Sequence, residues 1–135
     1  MSFHHLLADV DRVLNLNNCY LRQAANFPHL KEVDVLTAYD DRRTMLGNIG
    51  EIFQKDIVDR PKVEACVIQL EQCSDTLVSI HRSNPLLHSL PEYNSYYTDA
   101  IAALRHLIMT VRLHFLLVDL KTISDANTIP ARVGE

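Results

Sequence analysis

Four stretches of the chain repeat apolar residues at three- and four-residue intervals, the spacing that gathers side chains on one face of an α-helix. Phe3, Leu6, Val10, Val13, Leu14, Leu21 and Ala24 predict a first helix over residues 3 to 24. Asn17 lies on that stripe, where it reads as a hydrogen-bonded core or boundary amide, or as a polar residue that fixes helix register. Pro28 restricts Phe27 and interrupts the helix. A second helix is predicted over 30 to 58, with Val35, Tyr39, Leu46, Ile49, Phe53 and Ile57 on one side. Gly47 and Gly50 weaken its centre, at about 1 kcal/mol each relative to alanine, and suit either close packing or a bend.

The third stripe is the clearest: Val63, Cys66, Val67, Leu70, Cys73, Leu77 and Ile80 face one way, and Glu64, Glu71, Asp75 and Arg82 the other. Asp59 is placed to cap this helix, predicted over 62 to 83, with Pro61 in its first turn. Asn84 and Pro85 break the pattern. Ser89 and Glu92 then have capping-box spacing ahead of a fourth helix over 91 to 122. These segments predict an all-α fold, an antiparallel four-helix bundle with up-down connectivity. The bundle is expected to be a single domain over residues 1 to 123, with a C-terminal tail over 124 to 135 where periodicity is lost.

The fourth helix carries more apolar surface than one face holds. Tyr93, Tyr97, Ile101, Leu104, Ile108, Val111, Phe115 and Val118 make its main stripe, while Ala102, Ala103, Met109, Leu113 and Leu117 fall largely opposite. Arg105, Arg112 and Asp119, spaced by seven, share a flank. Either this helix is surrounded within one subunit or its second face meets another chain. A simple bundle leaves the outside of every helix wet, which favours the second reading. The predicted interface is centred on Met109, Leu113 and Leu117 and flanked by Ala102, His106 and Arg112.

Composition narrows the setting. A chain of 135 residues with 47% hydrophobic side chains can bury roughly two-thirds of its unfolded surface as one domain. Three cysteines, an odd number without zinc-site spacing, suit reduced thiols. The opening MSFHHLLADVDRV lacks a basic region followed by an apolar run, so no signal peptide and a cytoplasmic location are expected. Arg105, Arg112 and Asp119 would each cost roughly 2.5 to 3.5 kcal/mol near a bilayer centre, which argues against membrane insertion of the fourth helix. A net charge of −4 with scattered basic residues offers no concentrated positive face for nucleic acid.

Candidate chemistry is sparse. Tyr39, Asp40, Asp41, Arg42 and Arg43 form the best polar constellation, in which carboxylates could hold a metal-phosphate group and an arginine its anion. Adjacent carboxylates on a helix diverge by about 100°, however, and a salt-bridged surface is the simpler expectation. The paired Glu-x-x-His repeats of di-iron bundles are absent, as is HExxH, so neither a metal nor a cofactor is expected. His88 and Glu92 read as local loop chemistry, and His106 and His114 as structural or interface histidines. The Arg82 to His88 spacing loosely resembles the active motif of all-helical HEPN ribonucleases over a few residues, but Pro85 interrupts it. Tyr93, Tyr96 and Tyr97 could stack on an aromatic ligand, or fill a helix end. The expectation is a non-enzymatic interaction module of adaptor, chaperone-like or regulatory type. Its expected partner is itself, as a homodimer, or a heterologous protein. The alternative is an enzyme or ligand-binding bundle using residues 39 to 43.

Overall fold

The computed structural model describes residues 3 to 25 and 35 to 133, with side chains over 3 to 22 and 35 to 126. Within these bounds the chain is all-α. The helices are α1 (His4–Ala25), α2 (Val35–Phe53), α3 (Arg60–Ser83), a single turn α4 (Pro85–His88) and α5 (Pro91–Val133). The turn predicted at Pro28 lies outside the described residues.

Cross-helix pairs fix the directions. Phe3 stacks on Phe53 at 5.5 Å and the Asn17 amide donates to the Tyr39 carbonyl at 2.9 Å, so α1 and α2 are antiparallel. Arg60 meets Asp119 and His81 stacks on Tyr97, so α3 and α5 are antiparallel too. Helices α1 and α2, α2 and α3, α3 and α5, and α5 and α1 are neighbours, which closes an up-down-up-down bundle.

One apolar cluster, including Phe3, Val10, Leu46, Phe53, Leu70, Leu104 and Phe115, fills the end where α1 begins. A second, built on Tyr20, Val35, Tyr39, Leu77, Leu87, Tyr93 and Ala100, fills the other.

Helix boundaries depart from the periodic pattern in three places. Helix α2 ends at Phe53, and Ile57, expected on its stripe, is 87% exposed in the irregular segment that follows. The reason is that Asp59 draws the chain into the next helix: its carboxylate accepts from the Lys62 amide and Pro61 sits in the first turn. The expected capping box before α5 does not form, because the Ser89 hydroxyl donates to the Leu86 carbonyl at 2.7 Å, completing the α4 turn. Helix α5 runs past residue 123, where apolar periodicity fades, and stays helical through Val133. Helix α2 runs without interruption through both glycines. A Cβ at Gly50 would make ordinary van der Waals contact with Val10 at 3.5 Å, whereas one at Gly47 would meet nothing within 4 Å among the described residues, so of the two Gly50 is the one that faces α1.

Candidate functional site

Among the described residues, the outer face of α5 is the principal unpartnered feature. Ala102, His106, Met109, Leu113, Leu116, Leu120 and Ile123 are all exposed, and their spacing alternates four and three without a break. Met109 is 69% exposed, and Leu113, Leu116, Leu117, Leu120 and Ile123 lie between 52% and 57%. The inner face, including Ala100, Leu104, Leu107, Val111 and Phe115, is buried in the bundle. One helix therefore carries two apolar seams. The inner one is consumed by the fold; the outer one repeats every three and a half residues, the period at which a helix keeps one stripe toward a second helix wound around it.

The stripe's two margins differ in charge. Toward α3, Arg112 binds Glu71, with one guanidinium nitrogen at 3.1 Å from a carboxylate oxygen, and Asp119 accepts both terminal nitrogens of Arg60 at 2.6 and 2.9 Å. The latter pair holds the Asp119 carboxyl below its usual range. On the other margin Ala103, Thr110 and Leu117 are uncharged. Between the two ion pairs, α3 and α5 enclose an open groove of about 390 Å³ whose walls include Val67, Phe115 and the exposed pair Ile68 and Leu116.

Beyond the Arg60 to Asp119 pair, α5 leaves the bundle. The fourteen residues from Leu120 to Val133 extend it by about 20 Å. Every residue from Leu120 to Ala126 is exposed. All six residues expected at the interface lie on this helix: Ala102, His106, Met109, Leu113 and Leu117 are exposed, and so is Arg112 despite its bond to Glu71. Leu116, Leu120 and Ile123 complete the stripe. The three-and-four alternation of their spacing is legible once the chain is read for a period of 3.5.

The constellation at residues 39 to 43 does not converge. Tyr39 and Arg42 turn inward and are fully buried, Asp40 and Arg43 pair with each other at the surface, and Asp41 lines a separate shallow groove with Thr44, Gln69, Gln72 and Cys73. Arg42 is the larger surprise. It donates to the Ala100 carbonyl at 2.8 Å and lies 5.7 Å from the Tyr39 ring centroid, while its other two guanidinium nitrogens meet no acceptor among the described residues. Burial lowers its basicity, and the groups acting on its charge are Tyr39, Cys73 and Tyr20 rather than a carboxylate. The same burial raises the Tyr39 phenol and pushes Tyr93 up to about 12.

The aromatic residues before α5 also form part of the fold. Tyr93 is buried, Tyr96 lies 5.8 Å from Tyr20, and the Tyr97 ring stacks on His81 at 3.9 Å. His88 stacks on His81 at 4.5 Å and its Nε2 pairs with the His81 carbonyl at 2.7 Å. His114 packs edge-on to Phe3 at 4.5 Å, and His106 points outward on the stripe. Among the described residues no three His, Cys, Asp or Glu side chains gather as a metal site.

By length and composition, the segment Pro91–Ala126 could also cross a membrane, and 33% of its most apolar window is buried in the fold. Comparison with protein-family models, with curated proteins and with solved structures gave no significant match.

Proposed function

We propose that this protein is a non-enzymatic interaction module, adaptor, chaperone-like or regulatory in type, that works as a homodimer through the outer face of α5. The observation that carries the reading is the unbroken exposed stripe from Ala102 to Ile123 on a helix whose opposite face is already buried. Its large side chains expose an apolar strip on the order of 600 Å², at the top of the range for the largest patch on a monomer. Two such strips meeting would remove on the order of 1,200 Å², the lower bound for a stable specific interface. A two-fold dimer uses the same strip on both chains and leaves none open. Free thiols at Cys19, Cys66 and Cys73 suit a reducing compartment and support a cytoplasmic location.

The test compares wild-type protein with Leu113→Glu by size-exclusion chromatography with light scattering, alongside co-flotation with neutral and anionic lipid vesicles. The expected result is a wild-type dimer, a helical Leu113→Glu monomer, and no flotation of either. Flotation of a monomeric wild type, lost in Leu113→Glu, would replace the protein partner by a lipid surface and overturn the reading.

A further inference from the structure

Resting on that reading, we infer that the second copy of α5 lies antiparallel, centred between His114 and Phe115, so that each helix overhang covers the body of the partner. Both the period of the stripe and the charges beside it lead to this arrangement. An exposed row at intervals of four and three selects a helix as its occupant, since only another helix presents knobs at matching intervals along the whole length. The centre follows from length. With the crossing between residues 114 and 115, Leu113 faces the partner's Leu116, Met109 faces the partner's Leu120, and His106 faces the partner's Ile123. Leu120 and Ile123, which are 53% and 56% exposed past the Arg60 to Asp119 pair, each gain a place on the other chain.

Charge then selects direction. In the antiparallel register Arg112 lies beside the partner's Asp119, once on each side of the two-fold axis. Each of these residues already holds an opposite charge from α3, so the contact strings Arg60, Asp119, the partner's Arg112 and the partner's Glu71 into an alternating row. The other margin brings Thr110 against the partner's Leu117, without a charge to bury. A parallel pair would instead set Arg112 beside the partner's Leu117 and His106 against the partner's His106, leaving the charges of the α3 margin without partners across the interface.

Site-directed cross-linking decides this separately from dimerisation itself. In a Cys19→Ser background, chains carrying Met109→Cys or Leu120→Cys are treated with a short bis-maleimide, each alone and as an equilibrated mixture distinguished by a mass tag. The two positions are eleven residues apart, about 16 Å along a helix. The inference expects cross-linked dimer in the mixture and only background in each variant alone, with the unsubstituted background protein as control for Cys66 and Cys73. His106→Cys with Ile123→Cys, the next layer, repeats the test should either first substitution weaken association. Cross-linking of each variant with itself would establish the parallel pair and overturn the inference, leaving the proposed dimer intact. A dimer by light scattering without cross-linking in either layer would also overturn it, by placing the contact elsewhere. A monomer by light scattering would remove both the inference and the reading beneath it.

Discussion

The guanidinium of Arg42 reaches across the bundle to donate to the carbonyl of Ala100 at 2.8 Å, fully buried and with no carboxylate in ion-pair contact among the described residues. A charge held this way contributes little to net stability, because its desolvation is opposed by a single hydrogen bond and the face of Tyr39. Substitution by a residue of similar length and no charge is therefore expected to cost less than truncation. Arg42→Met should leave unfolding free energy within about 1 kcal/mol of wild type or raise it, whereas Arg42→Ala, which opens a cavity, should lower it by about 2 to 4 kcal/mol. Urea titration measures both. Equal losses in the two variants would mean that the cation itself holds the helices together.

Arg42 also shows where sequence reading stops. The run Asp40-Asp41-Arg42-Arg43 has the composition of a solvated surface, and two of its members do pair outside. Yet Tyr39, Arg42, Leu46, Ile49 and Phe53 are spaced three, four, three and four, so the helix period places the arginine on the buried stripe. Composition and period conflict there, and period wins because α2 cannot turn Tyr39 and Leu46 inward without Arg42. The stripe of α3 was legible because its charged residues all stay off the buried side, where Ser74 is the polar member. Ile57 was misleading for the opposite reason: it keeps the period after the backbone has left the helix. The two-faced character of α5 was visible in the sequence, but its full outer row was not, since a wheel at 100° per residue drifts from a seam that repeats every seven.

The Asp59 cap predicts a modest and local loss. Its carboxylate accepts the Lys62 amide at 3.3 Å, at the point where the chain turns from the segment after Phe53 into α3. Asp59→Ala is expected to lower unfolding free energy by about 1 kcal/mol, and Asp59→Asn to recover most of it, because either side-chain oxygen can cap. Thermal unfolding of the two variants checks the ordering. Identical losses would show that the negative charge, rather than the cap, matters.

Acidification should destabilise the fold in a defined window. The imidazole of His81 is held below 6.5 by burial and then by the neighbouring His88, and that of His114 by burial and then by His5. The folded state binds these protons less readily than the unfolded chain. Their contribution is complete above about pH 6.5 and declines as pH falls through that value toward the lower folded pKa values. The urea midpoint is expected to drop between about pH 7.5 and about pH 5.5, and to drop less in a His81→Gln and His114→Gln double variant. A midpoint flat across the window would contradict this assignment. At the alkaline end the sign reverses. Burial raises the Cys73 thiol above its ordinary 9.0 and the Tyr93 phenol to about 12, so stability present at neutral pH is lost as the unfolded chain begins to ionise.

On the proposed reading, a second copy of the chain covers the outer face of α5. Sedimentation equilibrium of the wild-type protein across a concentration series, from low to high micromolar, tests it most directly. The expected result is a single reversible monomer to dimer equilibrium that reaches the mass of two chains at the upper end. A folded protein with the mass of one chain throughout the series would contradict the claim.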